Sequence, residues 1–286
     1  MVEIIKEPSA LRELAGQWTR QGRTVGFVPT MGYLHAGHES LMHLARGRAE
    51  TVVASVFVNP TQFGPGEDLD AYPRDLDRDA AMAKAAGVDV LFAPSPEAMY
   101  EPAAATWVEV PTLARHLCGA SRPTHFRGVC TVVSKLFLLV RPALAVFGQK
   151  DWQQLAILRR MNADLGFGVE IVGGPIVREA DGLALSSRNV RLTPEERGQA
   201  PGINQGLALA EAMVRDGEAD AGRILDAVRA HYAAHVPLGE IDYLSCVDPD
   251  SLETLETIDR PALFATAVRF SAVRLIDNRL AATVSR

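Results

Sequence analysis

Apolar, β-branched runs alternate with helix-period segments along the first 175 residues, and this alternation restricts the architecture more than any other property of the chain. TVGFV at 24–28 is a short buried-strand run ending at Pro29. Leu41, Leu44 and Ala45 then recur at helical spacing, and TVVASVFV at 51–58 is a second buried strand, which makes a βαβ unit. The pattern repeats with DLDRDAAMAKAAG as helix and VDVLFAP as strand. TVVSKLFLLV suits either a buried helix or a strand; helix is preferred because ALAVFG at 143–148 is the better strand. DWQQLAILRRMNADLG reads as an amphipathic helix ending at Gly166, with VEIV as the next strand. After GGPIVREADGLALSSRN come two long helical stretches, then IDYLSCVDP, ALFATAVRF and VRLIDNRLA as short strands. The expected fold is α/β. A Rossmann-like parallel sheet with helices on both faces occupies residues 1–175, and a smaller α+β domain at 176–286 closes over the site.

Composition narrows the function. The formal net charge of -6 disfavours a sequence-independent grip on nucleic acid or an anionic membrane. No apolar stretch approaches the length of a membrane span, and the N-terminal MVEIIKEPSALREL lacks a signal-peptide core. Three widely spaced cysteines, Cys118, Cys130 and Cys246, read as free thiols in a reducing compartment, so a cytoplasmic protein is expected.

TMGYLHAGHESL, residues 30–41, places His35 and His38 three apart around Gly37, where the first strand gives way to a helix. Ligands of open parallel sheets bind at the carboxyl ends of strands, and helix N-termini attract anions. Residues three apart share a helix face, so both imidazoles can address one ligand, and Gly37 leaves the backbone open to a phosphate or ribose. Two alternatives stand beside this: solvated surface histidines, or a zinc pair, for which no third ligand is close in sequence. Neither GxGxxG after the first strand nor GxxxxGK[ST] occurs, which disfavours dinucleotide and P-loop enzymes.

Three further stretches carry polar chemistry. VFVNPTQFGPGEDLDAYPRD offers Asn59 and Gln62, amides suited to hydroxyls and carboxylates, or an ordinary polar turn. FGQKDWQQL ends a strand at Gly148, then supplies Lys150 as a phosphate-seeking cation and Asp151 as a candidate N-cap, with Gln153 and Gln154 in the first helical turn. LSSRN at 185–189 is a compact anion clamp whose Arg188 fork matches phosphate oxygens, and HFRGV adds Arg127 beside a glycine.

Together PTMGYLHAGHESL, VFVNPTQF, YPRDLDRD, HFRGVCTVV, VFGQKDWQQL, VREADGLALSSRN and LTPEER resemble, in order and over nearly the whole chain, the pantoate–β-alanine ligases of the HxGH nucleotidyltransferase superfamily. The resemblance implies an AMP-forming acid–amine ligase using ATP with Mg2+. Pantoate is adenylated with release of pyrophosphate, and the amine of β-alanine then displaces AMP. It implies that Met31, Gly32, Tyr33, Leu34, His35, Ala36, Gly37 and His38 line the ATP site, with His38 as proton donor. Gly148, Gln149, Lys150, Asp151 and Val177 would contact ATP, and Leu185, Ser186, Ser187 and Arg188 would close over its phosphates. Gln62 and Gln154 would hold pantoate, with Gln62 near the β-alanine entry; Asn59 and Arg127 are further substrate candidates. His35, His38, Lys150, Ser186, Ser187 and Arg188 are the fixed donors expected to stabilise charge on the leaving pyrophosphate. The metal ligands are not specified. Two positions depart from the family's pattern: Leu185 stands where Met is common, and Gln149 where Glu is frequent. A homodimer is implied by the resemblance alone. Another nucleotidyltransferase of the superfamily, or a non-catalytic nucleotide sensor, are the alternative readings.

Overall fold

The structure is a computed structural model and describes residues 2–67 and 69–282. Six strands, β1 (Glu3–Ile5), β2 (Val25–Thr30), β3 (Thr51–Val56), β4 (Val90–Phe92), β5 (Leu144–Gly148) and β6 (Glu170–Gly174), form one sheet in the order β1-β4-β3-β2-β5-β6. Every pairing in it is parallel. Between the strands run α1 (Pro8–Arg20), α2 (Ala36–Arg46), α3 (Leu76–Ala85), the short α4 (Pro96–Met99), α5 (Pro111–Ala114) and α6 (Leu117–Ser121), then α7 (His125–Val140) and α8 (Trp152–Leu165).

The alternation of side chains along each strand separates two cores. Phe27, Val53 and Phe92 face α1, α7 and α8, whereas Val28, Val52, Ala54 and Leu91 face α2 and α3. Such two-sided burial explains why these strands are apolar without a polar period. TVVSKLFLLV lies within α7, nearly all of it buried, so its apolar continuity reflects a covered helix.

The strand reading needs two corrections. The strand read at 24–28 is not the first of the sheet, because β1 (Glu3–Ile5) precedes it; it is β2, which ends near Pro29 as expected, running through that residue to Thr30 with Pro29 opposite Ser55. The missing N–H is tolerated because the β2–β5 ladder covers only Gly26 and Phe27. Beyond Phe27 those two strands part, and a crevice opens at their carboxyl ends. β3 ends at Val56, so Phe57 and Val58 already belong to the outgoing loop.

The C-terminal lobe stacks α9 (Pro194–Gln199), α10 (Pro201–Arg215) and α11 (Ala221–His235) on an antiparallel sheet of β7 (Glu240–Val247), β8 (Ala262–Arg269) and β9 (Arg274–Ala281), ordered β7-β8-β9. Central β8 is buried on both faces: Phe264 and Val268 pack under α10 and α11, while Leu263 and Ala265 join the core of the first lobe. Arg178, in the connection between lobes, grips Asp277 of β9 with two bonds of 2.7 and 2.9 Å. Among the described residues, no helix is long and apolar enough to cross a membrane.

Candidate active site

The chain enters β2, builds β3 and β4 on one side, then returns to place β5 on the other, so the order of strands reverses between β2 and β5. Open α/β sheets bind ligands at this point, where neighbouring loops turn away from each other. The loop after β2 carries His35 and His38, and the loop after β5 carries Lys150.

The first loop is built to aim the start of α2. Thr30 Oγ1 donates to the Ser55 carbonyl at 2.6 Å and accepts from the Gly32 N–H at 3.1 Å. Gly32 adopts φ +87°, where a Cβ would lie 2.7 Å from Val56 Cγ1. The buried carboxylate of Asp79, from α3, accepts the N–H groups of Tyr33 (2.8 Å) and Leu34 (2.7 Å). Leu34 itself is fully buried in the α2 core, and its N–H is taken by Asp79, so it shapes the loop from behind.

His35 is the N-cap of α2, its Nδ1 accepting from the Gly37 N–H at 3.1 Å; His38 Nδ1 accepts from the His35 N–H at 3.3 Å. The rings lie 4.1 Å apart. A neutral imidazole whose Nδ1 accepts carries its proton on Nε2, so each ring presents an Nε2–H donor. Gly37 is required for this fold-back, because a Cβ there would come within 2.9 Å of the His35 ring. Burial, followed by the charge of Lys150, lowers the His35 pKa to about 4; burial, then His35 and Lys150, lowers that of His38 to about 3. Both shifts favour the neutral imidazole at neutral pH, in which each ring is a hydrogen-bond donor through Nε2–H.

These shifts have a consequence for folding. The unfolded chain takes up protons on these histidines below their ordinary 6.5, while the native chain resists until about 4 or lower. The unfolded state therefore binds more protons, and stability falls as pH drops from 6.5 toward 4. Half-buried His125, lowered to about 4 chiefly by desolvation, acts in the same direction. Urea midpoints measured between pH 7 and 5 are expected to fall with acidification, and the slope should flatten in His38→Ala; an unchanged slope in that variant would contradict the burial of its ring.

A cavity of about 880 Å³ lies between the lobes, reached by His38, Lys150, Ser186 and Arg188 together. His35 is not in its wall but packs, tilted, against His38, which is. Lys150 makes no ion pair among the described residues, whereas nearby Arg122 and Arg274 are neutralised by Glu67 and Asp242. The backbone carbonyls of Gln149 and Lys150 both accept from Asn278 Nδ2 of β9 at 2.9 Å, so the second lobe fixes the Lys150 loop. Asp151 lines the cavity too, but its side chain makes no capping bond to α8, contrary to the expected N-cap.

The Ser186–Arg188 segment is held against α2 and the cavity by its own turn. Leu185 N–H donates to the Val177 carbonyl at 3.0 Å, and the Leu185 Cβ is the nearest foreign group above Gly37 apart from His35. Ser186 Oγ accepts from Arg188 N–H at 3.2 Å. Ser187 lies outside the cavity wall, its Oγ 3.5 Å from the Tyr72 hydroxyl, while the Arg188 guanidinium stands 6.0 Å from the Tyr72 ring.

Gln62 and Gln154 both line the cavity, from the loop after β3 and the first turn of α8. Arg127 does not join them. The phase of α7 turns it onto the Trp107 ring at 4.7 Å, away from the site. Its neighbour Gly128 matters instead, because a Cβ there would lie 2.3 Å from the Thr61 carbonyl oxygen. Asn59 is 1% exposed, and its amide is occupied by protein partners. It lines the cavity and also holds Gln62. Asp79, Asn278 and Tyr100 are site-shaping residues that sequence reasoning did not single out; YPRDLDRD contained Asp79 without signalling its partner loop.

No three His, Cys, Asp or Glu side chains gather as a metal site among the described residues. Of the carboxylates on the cavity wall, Glu67 and Asp277 are tied to arginines, and Asp151 makes no ion pair among the described residues.

Comparison with known proteins agrees with this geometry. Residues 3–280 match the family described as Pantoate-beta-alanine ligase. A pantothenate synthetase of Solidesulfovibrio magneticus is 94% identical over the full length of both chains. One from Nitratidesulfovibrio vulgaris is 58% identical over 98% of this chain and 99% of its own. Among solved structures, a pantothenate synthetase of Thermus thermophilus superposes with a TM-score of 0.92 at 49% identity, covering 97% of this chain and 99% of its own. A Francisella tularensis pantoate-beta-alanine ligase complexed with beta-gamma ATP and beta-alanine gives 0.79 at 30% identity, covering 98% of each chain.

Proposed function

The chain belongs to the pantoate-beta-alanine ligase family, and from that premise we propose how its inter-lobe cavity joins pantoate to β-alanine at the expense of ATP. The observation that carries the reading is the convergence of His38, Lys150, Ser186 and Arg188, drawn from three distant segments, on one cavity at the β2–β5 reversal.

In the first half-reaction a pantoate carboxylate oxygen attacks the α-phosphorus of ATP, the bond to the bridging oxygen breaks, and pyrophosphate leaves. Negative charge gathers on that bridge. The Nε2–H of His38, the Lys150 ammonium, the Ser186 hydroxyl and the Arg188 guanidinium on the wall are donors for it, with His35 and Ser187, which lie off the wall, as the further candidates; one such preorganised donor is worth about 3–4 kcal/mol. Neutral imidazoles suit this task, since they donate hydrogen bonds without repelling Lys150. ATP would lie along the loop from Met31 to His38 and over Gly148–Asp151, Val177 and Leu185. Gln62 and Gln154 would hold pantoate in line with the α-phosphorus, an alignment that removes much of the entropic barrier.

In the second half-reaction the β-alanine amine attacks the acyl carbon of pantoyl adenylate and AMP departs with the electron pair. An acyl adenylate is prone to hydrolysis, so the wall formed by the second lobe, with Ser186–Arg188 near its mouth, serves to exclude water. Mg2+ is proposed to arrive on the triphosphate, as its preference for phosphate and water oxygens allows, and Asp151 is the carboxylate placed to meet it. It would neutralise phosphate charge.

We further assign residues 1–175 to binding ATP and pantoate and 176–286 to closing over them, and propose a cytoplasmic homodimer, consistent with three buried free thiols. Light scattering of the purified protein tests the dimer. The deciding experiment for the activity is a mass-spectrometric product assay with ATP, Mg2+, pantoate and β-alanine. Pantothenate and AMP in equal amounts are expected, together with pantoate-dependent ATP–pyrophosphate exchange when β-alanine is omitted. Nucleotide binding without turnover would refute the assignment.

A further inference from the structure

Gln62 enters the cavity with its amide already oriented by Asn59, a wall residue that is itself held by groups off the wall. Asn59 Nδ2 donates to the Gly128 carbonyl at 3.2 Å. A carbonyl only accepts, so this bond fixes which end of the Asn59 amide is nitrogen. The same nitrogen donates to Gln62 Oε1 at 3.1 Å, which commits the oxygen of Gln62 to the protein. Gln62 Nε2 is left facing Met31 Sδ at 2.9 Å, and a thioether is a weak acceptor. The group shown to a ligand is thus an N–H donor.

The other end of Asn59 is held by Tyr100. The Tyr100 hydroxyl donates to Asn59 Oδ1 at 2.9 Å, and Thr61 Oγ1 donates to the same oxygen at 2.9 Å. Tyr100 follows α4 and is not part of the cavity wall; its ring is covered by the Lys135 ammonium of α7 at 5.3 Å. Asn59 bonds to its protein partners through both ends of its amide, so it has no free end for substrate.

We propose that Tyr100 is a positioning residue: through Asn59 it locks the Gln62 amide so that its N–H, not its oxygen, meets an oxygen of the hydroxy acid. This rests on the reading that the cavity takes pantoate. Chains of hydrogen bonds in a buried site reinforce one another, and loosening one end frees the amide to rotate and present the wrong atom.

The test is initial-rate pyrophosphate release by Tyr100→Phe, which removes one oxygen from a half-buried ring. The KM for pantoate is expected to rise about 10-fold, the equivalent of one neutral hydrogen bond, while the KM for ATP stays within about 2-fold. Thr61→Val, which strips the second hydroxyl from Asn59 Oδ1, is expected to shift the pantoate KM in the same direction and serves if Tyr100→Phe does not fold. In a Gln62→Ala background Tyr100→Phe should add nothing further, because the residue it acts through is gone. An unchanged pantoate KM, equal rises for both substrates, or the same loss in both backgrounds overturns the proposal. A wild-type protein that releases no pyrophosphate with pantoate overturns the ligase reading instead, independently of Tyr100.

Discussion

His38→Ala is expected to lower the rate of pantoate-dependent pyrophosphate release by at least about 100-fold, the usual cost of one preorganised donor at a site of developing charge. The fold should survive. His38 sits at the third position of α2 and contributes one capping bond to the His35 N–H, worth about 1 kcal/mol. His38→Gln is the more informative variant. Glutamine at this position is a common capping-box partner and can return its oxygen to the His35 N–H while offering an N–H outward. If the imidazole works as a neutral donor, as its burial and its pKa near 3 imply, Gln should keep the melting temperature and recover part of the lost rate. A proton-delivering imidazolium would leave Gln as inactive as Ala. Undiminished pyrophosphate release by the alanine variant removes His38 from the chemistry altogether.

Gly128→Ala is expected to damage both stability and pantoate use, although it adds a single methyl group to a residue that is not on the cavity wall. The new Cβ would lie 2.3 Å from the Thr61 oxygen, 2.6 Å from the Thr61 carbonyl carbon and 2.7 Å from Gln62 Cα. All three are backbone atoms and cannot rotate away. The loop must lift off α7, which strains the bonds that tie the Gln62 carbonyl to His125 Nδ1 (2.8 Å) and Arg122 Nη2 (3.3 Å). Overpacking of this kind costs about 1–3 kcal/mol, and a displacement near 1 Å of a substrate-holding group costs about 100-fold in rate. Gly198→Ala is the matched control: nothing lies within 4 Å of its Cβ, and it sits in exposed α9, so a gain of about 0.5–1 kcal/mol is expected. Urea midpoints and pyrophosphate release for the two variants check both statements. Equal behaviour of the two would show that the α7 contact does not hold Gln62.

The pair also shows where sequence reasoning stopped. Arg127 and Gly128 are adjacent, and the chemistry of the guanidinium drew attention to the wrong one. Helical phase sends Arg127 to Trp107, while Gly128 owes its role to the absence of a side chain. Asn59 does reach the cavity wall, but the bonds it makes to Tyr100 and Gly128, 41 and 69 residues away, are not legible in the sequence. Asp79 reaches back 45 residues to Leu34, and Asn278 reaches 128 residues to the Lys150 carbonyl. Nothing local in VRLIDNRLA marks Asn278 as a clamp.

Local pattern by itself determined that strands and helices alternate, that the second half turns to α+β, and that His35, His38 and Gly37 stand at a strand-to-helix junction. Those properties depend on side-chain period and on backbone freedom over a few residues, which are written in order along the chain. Only the tertiary structure decided that β2 lies beside β5, that the Lys150 loop and the Ser186–Arg188 turn meet at the cavity with His38, and that burial pushes the pKa of both rings down. Strand order and desolvation arise from packing between segments far apart in sequence, and no spacing of residues records them.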